Sequence, residues 1–245
     1  HNKLNIIFKK YQPNIVFHAA AYKHVNIVEN NKIESIRNNV LGSYNLINTS
    51  VDFNVENFMF ISTDKAIRPT SIMGASKRIS EIILLNYRKS NQTKLSLVRF
   101  GNVINSNGSV IPLFQDQIKS GGPVTVTHPD VTRYFMSIAE AVGLVLEASI
   151  QAKHKDKFIL NMGEPIKILD IAKKMISLSG HTNSLDQDNG DIKIEFIGLR
   201  SGEKMHEDLT IDNNLVKTNH HYIYKDEYDD SIDENIEEII FDINQ

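Results

Sequence analysis

The sequence lacks several features, and each absence excludes a class of protein. Its 245 residues contain no cysteine, which excludes disulfide scaffolds, thiolate metal sites and cysteine nucleophiles and favours a reducing compartment. It has no signal-peptide pattern and no apolar run as long as a membrane helix. Its 12 glycines are scattered and form no G-x-G-x-x-G turn. Residue 1 is His rather than Met, so we expect the chain to begin within a longer protein.

The charges that are present divide unevenly along the chain. The net charge is -3, but residues 225–245 hold nine acids and one Lys, which leaves 26 basic and 21 acidic residues in 1–224. A body of net +5 suits a small anionic ligand and is far weaker than the clustered basic surface of a nucleic-acid binder. We therefore expect no nucleic-acid partner, and we interpret 225–245 as an acidic C-terminal tail.

Short apolar runs alternate with longer amphipathic stretches in the first 100 residues. Residues 14–18, 58–61 and 95–98 predict strands, and residues 33–53 and 72–87 predict helices. The unbroken apolar run at 14–18 is typical of a strand covered on both faces. Strands and helices that alternate at this spacing indicate βαβ units. We therefore predict an α/β fold with a Rossmann-type, doubly wound parallel sheet.

The second half predicts a smaller cap domain beside this sheet. Helices are predicted at 137–150 and 168–178, and strands at 158–160 and 192–197, with a polar loop at 182–191. We assign residues 1–105 and 137–160 to the Rossmann core and residues 106–136 and 161–224 to a small α/β cap.

Residues that could carry chemistry follow the predicted strands, where open α/β sheets bind ligands. Three alanines follow the first strand, and small side chains let a flat cofactor approach the backbone. Thr63, Asp64 and Lys65 follow the second strand, and a carboxylate beside an ammonium can divide acid and base roles. A helix N-cap or a turn salt bridge is the alternative interpretation of these three residues.

Met73 and Lys77 lie four residues apart at the start of the next predicted helix, so they share one face. A thioether cannot titrate. Without further context, Met73 is interpreted as core filling and Lys77 as a solvated lysine.

Eight ordered motifs together resemble the CapD-like nucleotide-sugar 4,6-dehydratases of bacterial polysaccharide biosynthesis, which are extended short-chain dehydrogenases/reductases. The motifs lie at residues 17–25, 61–66, 73–78, 99–103, 108–114, 121–130, 132–136 and 198–204. The resemblance extends from about residue 8 to about residue 212. Met73 stands where the wider family has the proton-exchanging Tyr, and this is similar to the long, membrane-anchored branch of the group.

The resemblance implies an internal redox reaction on a nucleotide sugar, usually UDP-N-acetylglucosamine, with bound NADP or NAD. Hydride leaves sugar carbon 4, water is lost across carbons 5 and 6, and the hydride returns to carbon 6. This chemistry needs an acid for the departing hydroxyl and a base for carbon 5. By analogy Asp64 is the acid, Lys65 is the base and Thr63 bonds the carbon 4 hydroxyl. With Met73 in place of Tyr, the first proton acceptor is either Asp64 or a water ordered by Thr63 and Lys77.

The same resemblance implies a set of site residues. The implied catalytic residues are Thr63, Asp64, Lys65 and Lys77. The implied cofactor contacts are Ala19, Ala20, Ala21, Lys23, Ser62, Lys77 and Phe100. The implied substrate contacts are Asn102, Ser109, Val110, Arg133, Arg200 and Glu203, among which the arginines suit a pyrophosphate and Glu203 suits ribose hydroxyls. No metal site is predicted, because the nine histidines show no ligand spacing.

The glycine-rich turn that opens this family is absent from the sequence. We expect about 80–100 residues to precede residue 1 in a working enzyme, and we expect this chain to be inactive alone. Two alternatives stay open: a nucleotide-sugar 4-epimerase, and a non-catalytic remnant that binds nucleotide sugar. The expected partner is a UDP-sugar, a homo-oligomer is compatible with the sequence, and the expected location is the cytoplasm or the cytoplasmic face of the inner membrane.

Overall fold

The computed structural model describes residues 2–88, 92–185, 190–212, 214–230 and 236–244. The helices are α1 Asn2–Tyr11, α2 Val25–Asn30, α3 Lys32–Ile36, α4 Gly42–Asp52, α5 Ile72–Asn86, α6 Val110–Lys119, α7 Ile138–Gln151, α8 Ile168–Leu178 and α9 Ile236–Asn244. The strands are β1 Ile15–His18, β2 Asn57–Ile61, β3 Lys94–Arg99, β4 Asn102–Val103, β5 Val124–Val126, β6 Thr132–Arg133, β7 Phe135–Met136, β8 Lys157–Leu160, β9 Ile166–Lys167, β10 Ile194–Phe196, β11 Leu215–Lys217 and β12 Ile223–Asp226.

The chain divides into two compact units. The first contains His1–Phe100, Val142–Asn161 and Asp208–Gln245, and the second contains Gly101–Ala141 and Met162–Glu207. The sequence prediction had instead put residues 161–224 in the cap and 225–245 in a separate tail. The structure differs because β11, β12 and α9 belong to the sheet and core of the first unit.

The first unit is built on a six-stranded sheet in the order β1-β2-β3-β8-β12-β11. The first four strands are parallel, and β12 and β11 are antiparallel additions at one edge. The prediction of an α/β fold with a Rossmann-type, mainly parallel sheet is confirmed. The strand predicted at 14–18 is covered less than expected, because β1 lies at the other edge and Ile15 and Phe17 are 46% and 39% exposed.

Buried side chains on β2, β3 and α5 form the centre of the core in this unit. Phe58, Phe60, Leu95 and Leu97 pack against helix residues of α5, and the cluster also includes Ile236 of α9. Continuous apolar strands such as Phe58-Met59-Phe60 need cover on both faces, which the parallel arrangement provides. This packing holds the carboxyl ends of β2 and β3 side by side.

The helix predicted at 33–53 forms with an irregularity in its middle. A π-helical turn at Arg37–Leu41 separates α3 from α4. Such turns place one extra residue in a helix and are frequent at functional sites. Here the turn contains Asn39, which is buried.

The second unit consists of three two-stranded sheets and their helices within the described residues. β5 pairs with β10 and β4 pairs with β7 in parallel, and β6 pairs with β9 antiparallel. Buried residues of α6, α8, β5 and β10 share one apolar cluster. The predicted helix at 168–178 is confirmed and Gly180 follows it with φ +80°, a backbone region that favours glycine. Part of the loop predicted at 182–191, residues 186–189, lies outside the described residues.

None of the helices in the described ranges is long and apolar enough to cross a membrane.

Candidate functional site

The carboxyl end of β2 presents the predicted acid and base together. Thr63 caps a short 3-10 turn at Asp64–Ala66. One carboxylate oxygen of Asp64, Oδ1, accepts hydrogen bonds from Thr63 Oγ1 at 2.9 Å and from Lys65 Nζ at 2.8 Å. The backbone N–H of Asp64 donates to the carbonyl of Phe100 at 3.1 Å, which ties this turn to the end of β3.

The second carboxylate oxygen of Asp64 is buried and unpaired. The Asp64 side chain is 0% exposed, and its Oδ2 has no hydrogen-bond partner within the described part of the chain. Leaving a buried polar atom without a partner costs about 1–3 kcal/mol, so native proteins keep such atoms where a ligand or a proton completes them. Asp64 therefore offers an acceptor, already oriented by Thr63 and Lys65, to a hydroxyl or a proton.

The first turn of α5 lies directly against the Asp64–Ala66 turn. Ser71 begins the helix and its hydroxyl accepts from the Gly74 N–H at 3.1 Å. A Cβ added at Gly74 would lie 2.3 Å from the carbonyl oxygen of Lys65. Met73, next to it, is buried. The absence of a side chain at Gly74 is therefore what allows helix and turn to touch.

Lys77 is buried one turn further along α5 and is not a solvated lysine. Its Nζ donates to the carbonyl of Ile61 at 2.7 Å and lies 4.2 Å from the centre of the Phe60 ring. Burial lowers the pKa of Lys77 to about 8, although Glu81 acts in the opposite direction. An amine with this pKa can change protonation within the ordinary working range of an enzyme.

The loop after β1 carries the alanines and Lys23 and is held by Asn39. Ala19, Ala20 and Lys23 are exposed, and Ala21 is half-buried. The Asn39 amide accepts from the Tyr22 N–H at 2.8 Å and donates to the Tyr22 carbonyl at 3.1 Å and to Ser76 Oγ at 3.0 Å. Sequence reasoning missed Asn39, and the signal that could have found it is a polar residue at a position where the helical pattern requires burial.

His18 closes β1 and is buried in the same polar network. Its Nε2 lies 2.8 Å from Ser43 Oγ. Burial and the nearby charge of Lys77 lower the pKa of His18 to about 4. The imidazole is therefore neutral at neutral pH.

This burial predicts a pH dependence of stability. Between pH 6.5 and about 4 the unfolded chain binds a proton at His18 that the folded chain does not, so the free energy of unfolding falls as pH falls through this window. In thermal melts, His18→Asn should flatten the decrease between pH 6.5 and 4. The exposed His24 is the control, and the prediction fails if His24→Asn and His18→Asn change the slope equally.

The predicted substrate residues belong to the second unit, whereas the predicted catalytic and cofactor residues belong to the first. Asn102 is in β4, Ser109 precedes α6, and Val110 begins it. Arg133 in β6 is buried. Arg200 is exposed in the turn that leads to Glu203.

Arg133 and Glu203 contact one another. Arg133 Nη2 donates to Glu203 Oε1 at 3.0 Å, and Arg133 Nη1 donates to the carbonyls of Thr132 and Met205 at 2.7 and 3.2 Å. The sequence-based expectation had given these residues separate parts of a nucleotide. In the structure Arg133 holds Glu203 in place, and Arg200 keeps an exposed guanidinium.

Comparison with known protein families shows which family the chain belongs to. The model of the family described as "Polysaccharide biosynthesis protein" matches residues 1–227. The chain belongs to this family. The resemblance to CapD-like proteins is thereby confirmed.

Several curated proteins are similar to this chain over most of its length. EpsC of Bacillus subtilis is 50% identical over 208 residues, covering 85% of this chain and 34% of EpsC. CapD of Staphylococcus aureus is 46% identical over 247 residues, covering 99% of this chain and 40% of CapD. A UDP-glucose 4-epimerase of Rickettsia canadensis is 38% identical over 205 residues, covering 82% of this chain and 57% of that protein. The chain thus spans about a third to two fifths of EpsC and CapD.

Solved structures are similar to the chain in fold. Pen from Bacillus thuringiensis is 35% identical with a TM-score of 0.81, and the match covers 91% of this chain and 68% of Pen. DesIV from Streptomyces venezuelae, a dTDP-glucose 4,6-dehydratase, is 17% identical with a TM-score of 0.72, and the match covers 85% of this chain and 67% of DesIV. The second likeness supports the fold alone.

Proposed function

We propose that the full-length gene product catalyses the NAD(P)-dependent 4,6-dehydration of a UDP-sugar, UDP-N-acetylglucosamine first among them, for the synthesis of a surface polysaccharide. The observation that carries the proposal is Asp64. Its carboxylate is fully buried at the end of a parallel strand, one oxygen is bonded to Thr63 and Lys65, and the other is free of partners in the described residues. A dehydratase needs an acid and a base adjacent to one sugar, and this turn supplies both groups.

The residues of the first unit fit a nicotinamide cofactor. Ala19 and Ala20 are exposed at the end of β1, where their small side chains leave the backbone open to a flat ring. Lys77 brings a buried ammonium donor suited to ribose hydroxyls. The cofactor, when bound, supplies reversible hydride transfer.

Thr63, Asp64 and Lys65 each have a part in moving or orienting the protons of the sugar. Asp64 Oδ2 donates the proton with which the carbon 6 hydroxyl leaves. Lys65, whose Nζ lies 2.8 Å from Asp64, acts in its neutral amine form and takes the proton of carbon 5. Thr63 orients the carbon 4 hydroxyl. Because Met73 cannot take a proton, Asp64 or a water ordered by Thr63 and Lys77 receives the carbon 4 hydroxyl proton.

The second unit supplies residues suited to the nucleotide part. The exposed guanidinium of Arg200 fits a pyrophosphate, for which its planar fork of donors is suited. Glu203 is held by Arg133 Nη2, by Thr127 Oγ1 at 3.1 Å and by the Arg200 N–H at 3.2 Å. A carboxylate held from three sides is rigid enough to orient ribose hydroxyls.

A UDP-sugar 4-epimerase is the second candidate. The 38% identity to the Rickettsia canadensis UDP-glucose 4-epimerase favours it. An epimerase returns the hydride to carbon 4 and needs no acid for a carbon 6 hydroxyl, so the Asp64 and Lys65 pair favours dehydration.

Isotope transfer distinguishes the two reactions. UDP-N-acetylglucosamine carrying deuterium on carbon 4 is incubated with the full-length gene product and NADP or NAD, and the product is analysed by NMR. Dehydration predicts a 4-keto-6-deoxy sugar with the deuterium on carbon 6. Deuterium retained on carbon 4 of a sugar inverted at that carbon would instead establish epimerisation. If neither product forms with any UDP-sugar, both candidates are refuted.

A further inference from the structure

Six charged side chains of the first unit form a cluster beside the carboxyl ends of β2 and β3, which we call the charge cluster. Its members are Arg78, Glu81, Arg99, Lys157, Asp226 and Asp230. The three cations and three anions balance. The two central side chains, Glu81 and Arg99, are each 0% exposed.

Glu81 lies at the centre of the charge cluster. Arg99 binds it in a fork, with Nε to Oε1 and Nη2 to Oε2 both at 2.8 Å. Arg78 Nη1 donates to Oε2 at 3.0 Å, and Ser62 Oγ donates to Oε1 at 2.6 Å. Burial alone would raise the pKa of Glu81, but its contacts with Arg99, Ser62 and Arg78 hold that pKa below its ordinary value. Glu81 is therefore ionised, and each of its carboxylate oxygens accepts two hydrogen bonds.

Segments far apart in the sequence enclose this pair. Arg99 Nη1 donates to Asp226 Oδ2 at 2.7 Å. Arg78 Nη2 bonds Asp230, which also accepts from Lys157 Nζ at 2.6 Å. The acidic segment that sequence analysis interpreted as a tail therefore neutralises the two arginines that hold Glu81.

One direct contact and one contact through a chain neighbour join the Glu81–Arg99 pair to the proposed active site. Ser62, whose hydroxyl Glu81 accepts, immediately precedes the turn that contains Asp64, and Phe100, which follows Arg99, accepts the Asp64 N–H. Glu81 also lies four residues after Lys77, hence on the same face of α5. Glu81 is thus one helical turn from Lys77, and Arg99 is one residue from Phe100, whose carbonyl holds the Asp64 N–H.

Stability alone does not explain such a cluster. Buried ion pairs can often be replaced by apolar residues of similar volume with no loss of stability. A bidentate pair does, however, define the relative position of the groups it joins, because both angle and distance are constrained. The pair fixes two strand ends and one helix at the point where the Asp64 turn begins.

We propose that Glu81 and Arg99 are positioning residues of the proposed active site: they hold Ser62 and the Asp64 turn in register with Lys77. The Glu81 charge also acts on Lys77, because it opposes the lowering of the Lys77 pKa by burial. This inference rests on the proposed function. Among the described residues, Glu81 from the same helix raises the pKa of Lys77, and Lys77 in turn lowers the pKa of His18 on β1. Removal of the Glu81 charge should therefore lower the pKa of Lys77 further.

The test compares Glu81→Gln with Asp156→Asn in the full-length gene product. Gln retains the shape of Glu81 and an oxygen for Ser62 but removes the charge. Asp156 is a matched control because its carboxylate also forms an ion pair in the first unit, with Lys225 at 2.7 Å, and takes no part in the charge cluster. We expect Glu81→Gln to lower kcat about 10-fold with KM within about 2-fold, and Asp156→Asn to leave kcat within about 2-fold of wild type.

A second readout follows Lys77 directly. With ¹³C-labelled lysine, the Lys77 Cε shift should titrate near pH 8 in wild type, where burial sets its pKa, and at lower pH in Glu81→Gln, while Asp156→Asn titrates as wild type does. Equal losses of Tm in the two variants, with kcat and the Lys77 midpoint unchanged in Glu81→Gln, would overturn the proposal.

Two further outcomes are decisive. Should Glu81→Gln fail to fold, Ser62→Ala removes only the hydroxyl that Glu81 accepts; reduced kcat with cofactor Kd unchanged supports the proposal, and wild-type kcat overturns it. Should wild type convert no UDP-sugar, the proposed function fails by itself. The Lys77 titration then decides the positioning role, which an unchanged midpoint in Glu81→Gln would refute.

Discussion

Asp64→Asn is expected to reduce turnover of the full-length gene product by about 10²–10⁴-fold, the range typical of a lost general acid or base. Asn has nearly the same shape and keeps an oxygen at the Oδ1 position for Thr63 and Lys65. It places an amide at the position of Oδ2, the buried atom that has no partner in the described residues. An amide cannot release a proton to a departing hydroxyl, so the dehydration step should stop.

Cofactor affinity and fold should persist in this variant. The Asp64 side chain is not among the groups expected to touch the cofactor, so Kd for NADP or NAD should stay within about 3-fold of wild type, a difference below about 1 kcal/mol. Asp52→Asn is the control, since Asp52 is an exposed carboxylate at the end of α4. Full activity of Asp64→Asn in a steady-state assay would remove Asp64 from the mechanism.

The parts of the fold that could be predicted from sequence are those whose residues repeat a simple pattern. β2 contains a continuous apolar run, β3 is largely apolar between its charged ends, and α5 follows Ser71, whose side chain caps it. Such runs and caps are local signals of burial and of helix starts. They suffice for the parallel sheet and for the position of the Asp64 turn at a strand end.

The C-terminal segment could not be predicted because its signal is tertiary. β12 ends in Asp226, a buried carboxylate that pairs with Arg99 of β3. An acid-rich sequence reads as solvated unless its partner is known. The sign that was available is Arg99 itself: a charge at the end of a fully buried strand requires a buried acid, although the sequence does not say which.

For the candidate site residues, the sequence indicates where they lie along the chain but not which side chains they contact. Thr63, Asp64 and Lys65 do share one turn, as adjacent residues at a strand end must. The direction of each side chain was not predictable: Ser62 donates to Glu81, and Arg133 pairs with Glu203. These orientations depend on charges brought together by folding, which single-sequence patterns do not contain.

Gly74→Ala is expected to damage both stability and catalysis through one added methyl group. The new Cβ would lie 2.3 Å from the carbonyl oxygen of Lys65, 3.2 Å from its carbonyl carbon and 3.2 Å from Pro69 Cβ. The nearest neighbour is backbone, so relief requires the Asp64–Ala66 turn to move away from α5. We expect a loss of about 1–3 kcal/mol in the free energy of unfolding and, because misplacement by about 1 Å can cost about 100-fold, a comparable fall in kcat.

Gly143→Ala separates this steric effect from the general effect of replacing a helical glycine. Gly143 lies within α7, and a Cβ there meets nothing within 4 Å. Alanine should raise the free energy of unfolding by about 0.5–1 kcal/mol and leave kcat unchanged. Denaturant unfolding and steady-state kinetics on both variants test the contrast. If Gly74→Ala matched Gly143→Ala in both measurements, the contact between α5 and the Lys65 carbonyl would not position the proposed acid and base.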